Sequence, residues 1–518
     1  MAESDARRAA QFRQQAGEAA VAGRTAACLV AAQCALLLAP MDTASCYYLS
    51  LASRGTESFS DSRRFAKWAL AAFPKRNAVP LHRELFTLAG LAKDELSTLR
   101  RAVLIAPGNA DGLYNVGNAE DRAGRSEAAL LSFARADIIR PLHSGTLGNI
   151  ARIKSLIIGH ERAGVALRKA LCVEPSDVRS LRHGGLWRRG KDDPLGAVDW
   201  FRRAVIIDPG KEVQGELGRA LMMTGELEEG WRRLEYFRLP DWHAPVGGLP
   251  RWEGQRLFEG SLLLWSMDKI GDELFFSTFL QRALKAAGRV TLLVDPRNCS
   301  LLRVLHPEIR IISSIDEAMS GNPQWKASAC YPLDFVGRFF AKTLEDLGEK
   351  GEERVLGKSA SRHDLLHIGI SWKSDAELIG GLKSTDLADW KEIFAQPGCR
   401  FFSLQYGDVS DDLEAFPNIE TIEGFDPFGA TLNFAERVSE LDLVITVGNT
   451  TAHVAVRTET PVWVLLASGL GPSWIWLRQG TQTPVYPRAR IFRQPIPGDW
   501  KSAFRQVVAE LSCWLHSR

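Results

Sequence analysis

Long hydrophobic runs are missing from this chain of 518 residues. One apolar stretch near the start, Cys28–Leu38, is broken by Gln33 and is too short to cross a bilayer. Met1–Gln15 is polar and charged, so no secretory leader is read there. An excess of one charge is also missing: 64 Lys and Arg stand against 62 Asp and Glu, a net charge of +2. The basic residues are spread along the chain, which gives no indication of a nucleic-acid or acidic-membrane partner. Cysteine is scarce, with eight in all, and none forms a Cys-x-x-Cys pair. This excludes a disulfide frame or a zinc knuckle as the organising element and fits reduced thiols in the cytoplasm; no metal site and no transmembrane segment are expected. The remaining composition is that of a globular chain, 45% hydrophobic and 24% charged, long enough for two or three domains.

What is present is a period. Pro40, Pro74, Pro107, Pro141, Pro175 and Pro209 follow one another at steps of 34, 33, 34, 34 and 34 residues. An alanine precedes each by five: Ala35, Ala69, Ala102, Ala136, Ala170 and Ala204. A step of about 34 is the signature of a helix–turn–helix solenoid. The small side chain lets the next helix come close, and the proline stops the helix it follows. In Asp111–Pro141, Leu113, Tyr114 and Gly117 fall on a first helix, Gly124 ends it, and Ser126 is placed to cap the second. Ala129, Phe133 and Ala136 then share one face at helical spacing, as Ala197, Phe201 and Ala204 do behind Asp193 and Pro194. The pattern resembles tetratricopeptide repeats. It is weaker around Asp42–Pro74 and Arg140–Pro175. An array of this kind either props up the rest of the chain or grips a protein partner in its groove.

Near Leu239–Pro250 the composition shifts to proline and glycine, and the helical period gives way to short apolar runs alternating with helical segments. Strands are read at Ser261–Ser266, Arg289–Val294, Ile309–Ser313, Leu365–Ser371, Phe401–Leu404, Ile419–Ile422, Leu443–Val447 and Val462–Leu466, with a closing helix at Trp500–Leu515. Strand–helix alternation of this length predicts two α/β lobes with parallel sheets, with ligands outside the carboxyl ends of the strands.

The candidate site residues fall at such ends. Gly271 and Asp272 follow the first strand; Asp272 is either a base for an acceptor hydroxyl or a helix cap. Gly448, Asn449, Thr450, Thr451 and His453 open the helix after Leu443–Val447, which is either an ordinary capped helix or an anion site for a diphosphate. Lys373, after the strand ending at Ser371, and Lys383 on the next loop are positioned to neutralise a leaving phosphate, or are solvated charges. Gln405 and Tyr406 end another strand, near where a nucleotide would lie. Fifteen tryptophans is a high number; Trp372 and Trp474 either line a pocket or pack.

At these residues the second half, Trp252–Leu511, resembles heptosyltransferase-like bacterial glycosyltransferases of the two-lobed GT-B fold. The pieces that carry the likeness are Gly369–Lys373, Ser403–Asp408, Asp442–Val447, Thr450–His453, Pro461–Leu466 and Tyr486–Trp500. The domain order is also loosely similar to that of eukaryotic O-GlcNAc transferases. The resemblance implies metal-independent, inverting transfer of a sugar from a nucleotide-diphosphate donor, a co-substrate and not a cofactor, to an acceptor hydroxyl on a protein or glycan. By it Asp272 is the base, Thr450 and Thr451 bind the diphosphate, Lys373 or Lys383 stabilises the leaving charge, and Trp372 and Trp474 line the pocket. Three departures stand out: Gly448 where aspartate is common, Val456–Thr460 where the family has two glycines, and Ile475 where arginine usually follows tryptophan. They favour a second reading, a degenerate transferase-like scaffold whose repeats do the binding. A nucleotide-sugar epimerase would want more cleft carboxylates and histidines than are seen. The expected layout is repeats over 1–240, a linker over 241–260, an acceptor-side lobe over 261–360 and a donor lobe over 361–518.

Overall fold

The computed structural model of the chain describes residues 107–157, 161–239, 248–267, 269–319, 323–348, 354–358, 364–376, 380–469, 473–478 and 480–516, with scattered positions between 10 and 104. Most of the repeat ending at Pro40, the whole of the one ending at Pro74, Cys34, Cys46 and linker residues 241–247 lie outside the described residues. The chain forms two compact units, Met1–Asp177 and Val178–Arg518.

In the first unit, helices α1 (Ala110–Arg122) and α2 (Ser126–Ile139) pack as one pair and α3 (Ser144–Ile157) and α4 (Glu161–Val173) as the next. Asn109 starts α1, its side-chain oxygen accepting from the backbone N–H groups of Asp111 and Gly112 at 3.1 Å. Gly124, at φ 72°, supplies the left-handed residue of the turn. The crossing is close because Phe133 fills the space over Gly117, where an added methyl would stand 2.7 Å from the ring. The cap expected from Ser126 does not form: Ser126 is the first helical residue, and Arg125 before it offers no side-chain bond.

The second unit begins with four more helices of the same kind, α5 (Val178–Gly190), α6 (Pro194–Ile207), α7 (Lys211–Thr224) and α8 (Leu227–Arg238). Phe201 sits over Gly185 as Phe133 does over Gly117. Asp193 caps α6, accepting from the Gly196 N–H at 2.8 Å with Pro194 in the first turn. These are the stacked helix pairs read from the period.

Two parallel sheets follow. The first contains β1 (Ser261–Trp265), β2 (Val290–Leu293), β3 (Arg310–Ile312) and β4 (Ala327–Pro332) in the order β3-β2-β1-β4. Between β1 and β2 run α9 (Ile270–Phe276) and α10 (Leu280–Ala287), joined by a tight turn; α11 (Pro296–Leu305) leads to β3. The second sheet contains β5 (Leu366–Ser371), β6 (Cys399–Ser403), β7 (Ile419–Thr421), β8 (Leu443–Val447), β9 (Val462–Leu466) and β10 (Ala489–Arg493) in the order β10-β9-β8-β5-β6-β7. Here α12 (Thr431–Ser439) precedes β8, α13 (Thr450–Ala455) follows it, and α14 (Trp500–His516) ends the chain. Among the described residues every strand pairing is parallel. Helices flank both sheets, and β8 and β9 within the second are apolar on both faces and buried throughout. Ala503, Phe504, Val507 and Leu511 bury one face of α14 in the core of the second sheet. β4 and β10 are strands beyond those expected. Ala-Ser-Ala-Cys-Tyr-Pro in β4 lacks the β-branched run that marks a strand, and β10 alternates as an edge strand.

The last repeat helices are built into both lobes. Trp231 of α8 donates its indole N–H to the Ala341 carbonyl at 2.9 Å, and its ring covers Gly337. Glu235, one turn on and buried, accepts from the Tyr331 hydroxyl at 2.7 Å and pairs with Arg251 and Arg338. From the turn after α5, Asp192 accepts the Gly469 N–H at 3.1 Å and pairs with Arg478, binding the loop that follows β9.

Candidate active site

In each sheet the chain runs outward from a central strand, then returns to its other side. The reversal lies between β1 and β4 in the first lobe and between β5 and β8 in the second. At such a reversal the connections leave in opposite directions and open a crevice at the strand ends. The segments Met267–Asp272 and Ser371–Lys373, and Gly448–His453, issue from these two places.

The two crevices meet. Gly271, in the first turn of α9, lies against α13: an added methyl would stand 3.0 Å from His453 Cδ2 and 3.6 Å from Thr450 Cα. Asp272 is the next residue and is half-buried. Lys383 lies in the field of Asp272 and Lys269; burial pulls its ammonium below the usual lysine range, Asp272 opposes that shift, and Lys269 adds to it. Lys383 ends a short helix, Gly380–Lys383, rather than lying on a loop, and the residues after it are fixed to the end of β5 by the Thr385 N–H on the Trp372 carbonyl at 2.8 Å and the Ser374 N–H on the Ser384 hydroxyl at 2.9 Å. The structure therefore gathers Gly271, Asp272, Lys383, Thr450 and His453.

His453 is buried and shares a 3.0 Å hydrogen bond through Nδ1 with the Tyr486 hydroxyl. Burial, and then the charges of Lys383 and Arg457, push its pKa down to about 3, so it is a neutral imidazole at physiological pH. Arg457, also buried, reaches from the second lobe to the Leu274 carbonyl and, at 3.1 Å, to the Ser277 hydroxyl. Thr431 adds a second link between the lobes, donating to the Asn298 side chain at 3.0 Å. In turn Asn298 donates to buried Glu273 at 2.6 Å, so the residue beside Asp272 is held from behind.

Several predicted donor-side residues serve the scaffold instead. Gln405 is buried, and its Oε1 accepts from the Ser371 hydroxyl at 2.9 Å and from the backbone N–H groups of Trp372 and Lys373 at 2.8 Å. Its amide nitrogen donates to the Lys373 and Tyr406 carbonyls at 3.3 and 3.1 Å. This side chain fixes the loop after β5 and has no group to spare for a nucleotide. Asn449 does the same from the other side, donating to the Ser371 hydroxyl at 2.8 Å and the Lys373 carbonyl at 2.9 Å. Trp372 is fully buried in the core of the second sheet, so it is not a pocket wall; the strand pleat turns it inward. Lys373 pairs with Asp412, which also accepts from the Trp372 indole at 3.3 Å. The Thr451 hydroxyl is buried, whereas Thr450 is half-exposed. Tyr406 accepts the Asp375 N–H at 3.4 Å, and burial pushes its phenol up. Gly448 has no room for a carboxylate: even a methyl would stand 2.8 Å from Leu466 and 3.5 Å from the Trp476 indole nitrogen.

Beside Asp272 lies a cavity of about 110 Å³. The repeat helices contribute Arg219, Trp231 and Phe237, the first lobe Asp272 and Phe276, and the second lobe Trp474. Trp474 meets Trp231 and Phe275 edge-to-face, with centroids 5.3 and 5.4 Å away. The repeat-borne wall had no signal in the sequence, since Trp231 and Asp272 are brought together only by the docking of α8. Among the described residues no group of three or more His, Cys, Asp or Glu is gathered for a metal ion, and no helix is long and apolar enough to cross a membrane.

No protein-family model matches the chain. Over 325 residues it is 26% identical to Protein FlbA of Caulobacter vibrioides, a match that takes in 56% of this chain and 53% of FlbA. The chain thus spans about half the length of this curated relative. Solved structures with similarity include YrrB, described as a TPR protein with an unusual peptide-binding site, at 20% identity over 33% of this chain and 88% of that one, with a TM-score of 0.27. Another is PilF of Pseudomonas aeruginosa, at 14% identity over 40% of this chain and 96% of that one, with a TM-score of 0.32.

Proposed function

We propose that the chain is a glycosyltransferase of the GT-B type that moves a sugar from a nucleotide-diphosphate donor to an acceptor hydroxyl, with Asp272 as general base and the repeats engaging a protein. The observation that carries this reading is the meeting of the two crevices, which sets Gly271, the neighbour of Asp272, against Thr450 and His453, with Lys383 in the field of Asp272. Asp272 takes the proton of the acceptor hydroxyl as its oxygen attacks the anomeric carbon. The bond from that carbon to the diphosphate breaks, and Lys383, a cation in a partly desolvated place, offsets the charge that develops on the leaving oxygen. Thr450, at the crevice mouth, offers a hydroxyl to the phosphate. The repeats fit protein binding because helix-pair arrays expose a long surface.

A second reading is favoured by the residues taken up in the framework. Lys373 is paired, and Gln405 and Asn449 are spent on the β5 loop, which suits a scaffold that retains the lobes without their chemistry. Thermal unfolding of the full chain with a panel of nucleotides and nucleotide sugars separates the two. A ligand at 100 times its Kd stabilises the folded state by about 2.7 kcal/mol. A shift with one nucleotide class, lost in Lys383→Ala, supports the transferase; no shift with any of them supports the scaffold.

A further inference from the structure

We infer that the cavity beside Asp272 seats one apolar side chain of an acceptor peptide, whose neighbouring serine or threonine hydroxyl is thereby offered to Asp272. This rests on the glycosyl-transfer reading and adds to it the class of acceptor. Three observations carry it.

The first is the lining. Trp231, Leu234, Phe237, Phe276, Phe335 and Trp474 make the wall apolar. Ile475 adds to it, while Arg219, Arg238, Asp272, Asp334 and Ser473 supply the polar part of the lining. An apolar side chain seated against the aromatic rings needs no hydrogen-bond partner, and the polar groups remain for the peptide backbone and the hydroxyl beside it.

The second is size. An apolar cavity of roughly 150 Å³ admits benzene. At about 110 Å³ this one has room for a single aliphatic side chain.

The third is origin and rigidity. Helices α7 and α8 supply Arg219, Trp231, Leu234, Phe237 and Arg238, so much of the wall belongs to the repeat array rather than to either lobe. A chain segment lying along the last repeats meets this cavity and Asp272 together. The wall is set before anything binds: Trp231 is fixed by its bond to the Ala341 carbonyl, Phe237 packs over Gly215, and Arg219 lies 5.1 Å from the Phe237 ring.

The test uses the full chain and short fluorescent peptides with a central serine or threonine. Each flanking position is varied through Gly, Asp, Lys, Ala, Leu and Phe. Binding is read by fluorescence polarisation without nucleotide, so it does not depend on transfer. At one fixed offset Leu is expected to bind about 10-fold or more tighter than Gly or Asp. Ser473→Phe, which fills the cavity from its loop, is expected to abolish that preference; Phe237→Ala, which widens it, is expected to move the preference from Leu to Phe. Unfolding curves show which variants are folded. A flat response across all positions, no binding by any peptide, or a Leu preference that survives both variants would overturn the pocket. A Leu preference together with unchanged turnover in Asp272→Asn would support the pocket and sink the assignment of Asp272.

Discussion

Gly271 and His453 touch across the two lobes with no side chain between them: a methyl on Gly271 would come within 3.0 Å of the imidazole. The imidazole is itself held by Tyr486, so it cannot swing aside without giving up a buried hydrogen bond. Gly271→Val is therefore expected to wedge the lobes apart, lowering stability by about 1–3 kcal/mol through overpacking. Denaturant unfolding measures this. A variant as stable as the parent would show that the contact gives way freely.

Asp272→Asn keeps the size of the side chain and removes its basicity. Nucleotide binding is expected to persist while transfer falls by about 10²–10⁴-fold, the usual worth of a positioned base. Single-turnover rates beside thermal shifts separate the two effects. Equal losses in both would point to a binding role.

The repeats and the parallel lobes were legible because each rests on a local rule. A proline every 34 residues stops a helix wherever it falls, and alternating apolar runs specify strands without knowledge of their neighbours. That these residues sit at strand ends was legible, because such sheets open there. What could not be read was which atoms are already engaged. Gln405 looked free as a letter in a strand-end motif, yet five hydrogen bonds with the segment Ser371–Lys373 and its own loop absorb its amide. Arg457 was visible as a departure from a glycine-rich pattern. Its reason, the carbonyl of Leu274, lies 183 positions earlier in the chain.

That link makes a further prediction. Arg457→Leu removes a charged donor from the Leu274 carbonyl and the Ser277 hydroxyl and leaves them the 2.8 Å bond they make to each other, at a cost of about 1.5–3 kcal/mol for the lost charge-assisted hydrogen bonds. Faster amide exchange in Ile270–Phe279 is the expected signature. Unaltered exchange there would mean the arginine serves only the second lobe.

Glu235→Ala removes the carboxylate shared by Arg251, Arg338 and Tyr331. Losing one partner of a buried ion pair costs about 3–5 kcal/mol. Both guanidinium groups keep contact with solvent, at 31% and 32% exposure, which places the expected loss at the low end. Denaturation midpoints measure it, and Glu235→Gln should recover part by still accepting from Tyr331.

Acid should weaken the second unit through its neutral histidines. His453 and His306 are both pushed down to about 3 by burial, against 6.5 when unfolded. Between those values the unfolded chain binds a proton that the folded chain refuses, so stability falls as pH drops from about 6.5 toward 3. Each group contributes a slope of about 1.4 kcal/mol per pH unit. In His453→Gln one such contribution is removed, and the dependence of unfolding free energy on pH should flatten by that amount. An unchanged slope would show that His453 already titrates in the folded protein.

The grip of Asp192 on Gly469 and of Trp231 on Ala341 bears on how this gene is cut. The proline-rich stretch after Leu239 invites an expression plasmid that starts there and yields the lobes alone. Such a product would bare Trp474 and Phe276 and strip the loop after β9 of its Asp192 partner, and poor solubility would then be mistaken for a property of the lobes. Starting upstream of Val178 keeps the four helices that make the cavity beside Asp272 a pocket.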